Sequence, residues 1–147
     1  MKMCVIALVT FALVAPAPAR AQSACDQING PYVGGRTGTI HRVPAIVFDR
    51  ITLQSGIGDD GHQVTTAPDS ASASHLRLRV KECIPLAPNR VRLTLATATP
   101  GAGHPWIDAG SAVVTIYDGG ARLWVVGETA GAEFPGWLLR IPPAPRA

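Results

Sequence analysis

The stretch HLRLRVKECIPLAPNRVRLTL, residues 75–95, alternates apolar and basic side chains on both of its arms. Successive side chains of a β-strand point to opposite faces, so this two-residue period predicts two strands, His75–Cys83 and Arg90–Ala98. Pro85 and Pro88 cannot donate ladder hydrogen bonds and mark the connection between the strands. We therefore expect a hairpin with its leucine and valine side chains facing a core and its cations facing outward.

Short alternating runs separated by turn residues continue along the rest of the chain. This pattern predicts an all-β fold, a single small antiparallel β-sandwich or barrel of about seven strands. The other five predicted strands are residues 32–41, 45–54, 112–117, 122–127 and 137–141. A polar stretch rich in small residues, Ser55 to Ser74, is interpreted as a long loop, and the proline-rich tail IPPAPRA ends the domain.

The beginning of the chain has the pattern of a secretory signal peptide. Lys2 precedes an apolar run, residues 4–14, and the small-x-small triplet Ala19-Arg20-Ala21 is a typical cleavage signal. The run is shorter than the roughly 20 residues that a membrane-spanning helix needs. We therefore expect residues 1–21 to be removed, leaving a single β domain at residues 22–147 that is secreted or periplasmic and has no transmembrane segment.

The charge of the chain is concentrated in one segment. The full sequence has 13 basic and 10 acidic residues, but two of the basic ones, Lys2 and Arg20, belong to the predicted leader. The remainder carries a net charge of only about +1, so the composition does not indicate a nucleic-acid partner. Residues 75–95 nevertheless hold one acid, Glu82, against five cations. These cations are Arg77, Arg79, Lys81, Arg90 and Arg92.

The basic face of the predicted hairpin allows two interpretations. Arginine stems can simply cover the solvated side of a sheet and discourage edge-to-edge aggregation. Alternatively, the same guanidinium groups can bind carboxylate or phosphate, because their planar fork of donors matches both anions. The second interpretation makes an anionic envelope component, or another protein, the expected partner.

Two cysteines remain after the predicted cleavage, and an exported chain with two cysteines most simply forms one disulfide, here between Cys25 and Cys83. Such a bridge closes a long loop and is expected to stabilise the fold by about 4 kcal/mol on the chain-entropy model. The alternative is a lipoprotein acylated at Cys25. Gln22 argues against it, because lipoprotein signals generally have an aliphatic residue three positions before the acylated cysteine.

The predicted loop contains the candidate metal ligands Asp59, Asp60 and His62. Their spacing matches neither the twelve-residue calcium loop nor a His-x-x-x-His zinc site, so no metal or cofactor is predicted. Trp106 lies in a second predicted loop, PGAGHPWIDAG, and is a candidate binding residue. It is expected either to form an exposed binding tip or to plug one end of a barrel.

The sequence does not favour an enzyme. No serine lies in a Gly-x-Ser-x-Gly elbow, and the predicted disulfide leaves no thiolate nucleophile in the processed chain. The interpretation is therefore an exported, non-catalytic binding or accessory protein of a bacterial-type cell envelope, contacting an anionic partner through its basic sheet face. The alternative is a small β-barrel enzyme or small-ligand carrier with its site at the barrel mouth, near residues 55–74.

Overall fold

The chain folds as one closed antiparallel β-barrel in which each strand pairs with the next and the last pairs with the first. We describe it from a computed structural model of residues 23–67, 73–129 and 132–145. The predicted leader, residues 1–21, lies outside the described residues. The elements are α1 (Ala24–Gln27), β1 (Gly30–Ile40), β2 (Val43–Leu53), β3 (Gly58–Thr66), β4 (Ala73–Ala87), β5 (Arg90–Ala98), β6 (Ile107–Tyr117), a 3-10 turn (Asp118–Gly120), β7 (Arg122–Thr129) and β8 (Ala132–Arg140).

The hairpin of β4 and β5 confirms the alternation on which the fold prediction rests. Leu78 and Val80 of β4 are buried in the barrel core, together with alternate residues of β5. Those β5 residues are Val91, Leu93 and Leu95. The arms pair in an antiparallel register that places Leu78 opposite Thr97 and Val80 opposite Leu95. The apolar faces of both arms therefore meet inside the barrel, as the two-residue period predicts.

The barrel has eight strands because the region predicted to be a loop contains β3. The prediction of a long loop from Ser55 to Ser74 was wrong for its central part, and residues 68–72 lie outside the described residues. The inward positions of β3 are occupied by Gly61 and Gln63, which are both buried, so the strand shows no apolar alternation. Gly61 is required there because a Cβ at this position would lie 2.7 Å from the carbonyl oxygen of Leu78.

A β-bulge in β4 changes which side of the barrel wall the second half of the strand faces. The register places Val80 opposite Leu95 but Glu82 opposite Thr94, so Lys81 is the extra residue. Lys81 and Glu82 are both exposed, and Cys83 turns inward to pack against the core. An unbroken two-residue period from His75 predicts Cys83 on the same side as Arg77, Arg79 and Lys81; this prediction was wrong because of the bulge. The strand also continues through Pro85 to Ala87, beyond its predicted end at Cys83.

The Cys25–Cys83 disulfide is present and holds α1 against one end of the barrel. Ala24, Cys25 and Ile28 are buried there and belong to the main core cluster. Tyr32, also fully buried, donates a hydrogen bond to the carbonyl oxygen of Gly120 at 2.7 Å. Its hydroxyl accepts from Arg140 Nη2 at 2.9 Å, and the same nitrogen donates to the carbonyl oxygen of Gln27 at 2.8 Å. This end of the barrel is thus closed by packed and hydrogen-bonded groups.

Candidate functional site

A tryptophan and two arginines pack together on the outer wall of the barrel. The guanidinium carbon of Arg79 lies 4.2 Å from the centre of the Trp106 ring, and that of Arg77 lies 4.8 Å from it. Cations over an indole face are attracted by the ring quadrupole, by about 0.5–2 kcal/mol depending on solvation. The stack therefore fixes both guanidinium groups, which are half-buried yet still reach solvent.

Small side chains on β5 make room for the indole. Ala98 is opposite Arg77 and Ala96 is opposite Arg79 in the hairpin register, so all four residues are on the outer side. Both alanines are nevertheless buried, as expected if the Trp106 segment folds back over them. Trp106 belongs to neither core cluster and does not plug the barrel.

A row of basic side chains extends the stack across three strands. Arg50 of β2 is opposite His62 of β3, and His62 is opposite Arg77 of β4. Directly opposite residues of an antiparallel pair share a face, so the three side chains are neighbours on the outer wall. In the described part of the chain, no carboxylate oxygen lies within 4.0 Å of a charged nitrogen of Arg50 or Arg77. We call Arg50, His62, Arg77, Arg79 and Trp106 the cationic site.

Two carboxylates lie close to the β4 cations, one against Arg79 of the site and one against Lys81 outside it. Asp59 Oδ2 lies 3.7 Å from Arg79 Nη2, and Asp108 Oδ1 accepts from Lys81 Nζ at 2.6 Å. The cation of Lys81 is therefore partly neutralised, whereas the Arg79 contact is long and exposed and contributes little. Beside the site an open groove of about 560 Å³ runs over the wall. It is lined by Gln54, Ile57, Gly58, Asp59, Arg79, Val80 and Lys81.

The remaining predicted cations lie at the other end of the hairpin. Arg92 is opposite Ile84, and Arg90 is opposite Ala87 next to the turn. Arg92 is four residues from Ala96, the partner of Arg79, which is roughly 13 Å at the rise of an extended strand. The structure therefore divides the five predicted cations of residues 75–95 into two separate groups. Arg90 and Arg92 are exposed but do not adjoin Trp106.

The candidate metal ligands do not form a recognisable cation site. Asp59 faces Arg79, and His62 lies between Arg50 and Arg77. Over residues 23–67, 73–129 and 132–145, no group of three or more His, Cys, Asp and Glu side chains is placed to share a metal ion. His62 instead adds an imidazole to the row formed by Arg50 and Arg77.

Sequence reasoning missed Arg50 and His62 as members of the site. Their neighbourhood depends on β3, which the apolar pattern does not reveal because its inward positions are glycine and glutamine. The run His62 to Thr66 has β-branched residues at three of its five positions. That composition was the available signal for a strand.

A polar layer crosses the interior of the barrel. Asp49 Oδ2 accepts from Arg36 Nε at 2.5 Å, and Asp49 Oδ1 accepts from Arg36 Nη2 at 3.2 Å and from Gln63 Nε2 at 3.0 Å. All three side chains are buried. Arg36 Nη1 has no hydrogen-bond partner within the described residues. It faces Gly127, where a Cβ would lie only 2.3 Å from it, so the arginine fits because β7 has a glycine there.

A cavity of about 40 Å³ adjoins the polar layer. Arg36 and Asp49 line it together with aliphatic side chains of six strands, β2 and β4 to β8. Since one water molecule needs roughly 10–15 Å³, the cavity has room for a few water molecules. This is far below the roughly 300–1,000 Å³ of small-molecule pockets. The outer groove, not the interior, is therefore the larger recess.

Comparison with known proteins found no matching family model, no matching curated protein and no matching solved structure. No helix in the described residues has the length and apolar character needed to cross a membrane.

Proposed function

We propose that this chain is an exported, non-catalytic binding protein of the cell envelope whose cationic site contacts an anionic partner. The observation that carries the proposal is the stack of Arg77 and Arg79 on Trp106, continued in register by His62 and Arg50. The partner supplies phosphate or carboxylate groups, as anionic glycans and phosphorylated lipid headgroups do. The secreted or periplasmic location follows from the predicted leader and belongs to the same proposal.

The arrangement of the guanidinium groups supports anion binding. A guanidinium with no carboxylate partner retains donors for a phosphate or carboxylate, and Arg50 and Arg77 have no such partner among the residues that the structure describes. Stacking on Trp106 restricts the two β4 side chains in advance, which lowers the entropy that ordering them would cost on binding. The planar indole edge adds apolar contact area beside the charges.

Exchanging arginine for glutamine tests the site. We expect R77Q/R79Q to elute from a phosphocellulose column at clearly lower salt than the wild type, because the substitutions remove the two fixed charges. The matched control is R90Q/R92Q, which removes two charges from the other end of the same hairpin face. It should elute close to the wild type. Thermal unfolding of each variant establishes that the barrel is intact.

The elution order separates a site from bulk charge. Equal shifts for the two double variants would show that only net charge matters and would refute the proposed site. Absence of wild-type retention at low salt would refute anion binding altogether. A third variant, R50Q, tests the extension of the row onto β2 and should weaken retention in the same direction as R77Q/R79Q.

The open groove supports the alternative function, a small-ligand carrier or an enzyme with its site at the barrel mouth. Its lining includes Gln54, Ile57 and Asp59 from the segment that connects β2 to β3 and the start of β3. Calorimetry can compare the affinities of the chain for a monomeric sugar phosphate and for a polyanion such as heparin. Equal affinities would favour this alternative. Preference for the polyanion would favour an extended partner.

A further inference from the structure

The outer wall next to the cationic site, from Val33 of β1 across β8 and β7, is largely apolar. A solvated antiparallel sheet ordinarily alternates apolar inward and polar outward residues. On β7, Leu123 and Val125 are buried inside the barrel, but the intervening Trp124 and the following Val126 point outward and are apolar too. Pro135, Trp137 and Leu139 are likewise outward and apolar on β8, so the adjoining parts of β7 and β8 are apolar on both faces, which is the pattern of a sheet covered on both sides.

Aromatic side chains form the centre of this surface. The ring centroid of Trp137 lies 5.0 Å from that of Trp124 and 5.3 Å from that of Tyr117. Trp137 is also opposite Gly35, which is opposite Phe48, so only a glycine separates the positions of these two side chains. Phe48 is 51% exposed and Trp137 is 41% exposed. We define the aromatic face as Val33, Phe48, Tyr117, Trp124, Trp137 and Leu139.

The aromatic face carries almost no net charge. No charged residue lies in its central row, which runs from Phe48 through Gly35 and Trp137 to Trp124. Arg122, in the outer row between Leu139 and Tyr117, donates to Asp118 Oδ2 at 2.6 Å and lies 5.6 Å from the Trp137 ring centre. A further row of half-buried apolar residues continues the surface across the same strands. That row consists of Ile46, Val113, Val126 and Pro135. With strands about 4.8 Å apart and three rows of outward residues, the surface covers about 400 Å².

We propose that the aromatic face is the interface of a homodimer, with a second copy of this chain as its occupant. In a two-fold symmetric interface the same surface meets itself, so any unpaired charge near the axis faces its own copy. A surface whose central row holds no charged residue avoids that repulsion, whereas the cationic site does not. Homodimer interfaces are also the most apolar class, and the core of an interface is enriched in tyrosine, tryptophan and phenylalanine.

The size of the face sets the strength of the dimer. A standard interface buries about 800 Å² per partner, including its polar rim. The aromatic face supplies about half of that area, and the barrel wall is convex. The dimer is therefore weak, and its population depends on protein concentration. Its rim carries charges of both signs, with Arg50 on β2, Arg90 on β5 and the exposed Glu133 on β8, so the apolar centre drives association and salt is expected to change it little.

Sedimentation equilibrium of the processed chain, from micromolar to near-millimolar concentration, tests this inference. We expect a reversible monomer–dimer equilibrium within this range of concentration. The variant F48E places a charge near its own copy and should weaken the dimer about tenfold or more. The matched control is I57E, because Ile57 has the same exposure as Phe48, 51%, and lies outside the aromatic face. It should dimerise like the wild type.

Each result bears on the dimer alone. A wild-type chain that stays monomeric over the whole range, or equal effects of F48E and I57E, would overturn the inference. Binding of the monomer to neutral phosphatidylcholine vesicles, abolished by F48E, would replace the second copy by a lipid surface and would also overturn it. Retention on phosphocellulose tests the proposed function separately, because R77Q/R79Q changes side chains on β4, which contributes no residue to the aromatic face.

Discussion

At the residue scale, Tyr32 shows how a buried polar group is tolerated in a small barrel. Its ring belongs to the main core cluster, and its hydroxyl joins β8 to the 3-10 turn by accepting from Arg140 and donating to Gly120. Burial raises the pKa of the Tyr32 phenol, and the hydrogen bond and charge of Arg140 offset part of that rise. The neutral phenol is thus the form that the fold requires.

The pKa shift of Tyr32 predicts a loss of stability in alkali. The unfolded chain releases this proton near the ordinary pKa of 10.0, whereas the folded chain retains it to higher pH. Above that pH the unfolded state binds fewer protons than the folded state, so the free energy of unfolding decreases as the pH rises. We expect Y32F to be less stable than the wild type at neutral pH by about 1–2 kcal/mol, because its partners lose a hydrogen bond.

The free energies of unfolding of Y32F and of the wild type should therefore become more similar as the pH rises above the ordinary tyrosine pKa. Urea unfolding at a series of pH values from neutral upward measures both effects, and Y117F, which removes an exposed phenol, serves as the control. If Y32F and the wild type lose stability in parallel above the ordinary tyrosine pKa, the assignment of the alkaline transition to Tyr32 is wrong.

At the scale of elements, the disulfide joins a four-residue helix to the middle of a strand. The two cysteines are 58 residues apart in sequence, and the bridge is the covalent tie between α1 and β4. Ile28 and Ala24, next to it, are buried in the same core. The bridge therefore acts on the closed end of the barrel, while the strand ladder is continuous without it.

Removing the disulfide should lower the stability of the barrel without unfolding it. For C25S/C83S we expect the free energy of unfolding to decrease by about 4 kcal/mol, the chain-entropy value for a loop of this length. Circular dichroism should retain its β-sheet signal at low denaturant, and the urea midpoint should fall. A variant that is unfolded in the absence of denaturant would show that the sheet ladder alone does not sustain the fold.

The elements that the sequence predicted best are those whose buried residues are aliphatic. The strand β5 was predicted with its observed bounds, and the alternating runs of β2, β4 and β7 were each located. The strand β3 was missed because its inward side chains are Gly61 and Gln63, and the bulge at Lys81 has no sequence signal of its own. For the same reason the sequence did not predict that Arg50 and His62 belong to the cationic site. His62 lies beside Arg50 and Arg77 only because β3 pairs with both β2 and β4.

At the scale of the whole molecule, the polar layer divides the barrel interior into two apolar parts. The larger cluster fills the end beneath α1, and the smaller one contains Ala45, Val47 and Phe134. Between them, Arg36 of β1, Asp49 of β2 and Gln63 of β3 form a connected set of hydrogen bonds. Burying an ion pair is costly, so its presence indicates a gain in specificity more than in stability.

The layer restricts how the strands can pair. A slip of one residue between β1 and β2 would turn either Arg36 or Asp49 outward and leave its partner as an isolated charge inside the barrel. Such an isolated charge costs several kcal/mol, which penalises the slipped register. The strongly apolar β5 to β8 half of the barrel has no comparable marker among the described residues, and its register rests on side-chain shape.

If the Arg36–Asp49 ion pair serves to fix the register, removing one partner should lower the free energy of unfolding more than replacing both partners. We expect R36M to lower the free energy of unfolding by about 3–5 kcal/mol, because Asp49 then remains as an uncompensated buried charge. The double variant R36M/D49L removes both charges and should recover most of that loss. Urea unfolding measures both values, with D108N at the exposed Lys81–Asp108 pair as a control that changes stability by less than about 1 kcal/mol.

Register specificity requires a second measurement on the same double variant. If the ion pair selects the register, R36M/D49L should recover stability yet show additional or broadened amide resonances for β1 and β2 in nuclear magnetic resonance spectra, since the penalty on the slipped pairing is gone. A single sharp set of resonances would mean that packing alone fixes the register. Glycine at 34, 38, 127 and 136 would then be the determinant, because side chains at those positions would clash with the wall or with the Arg36 and Phe134 side chains.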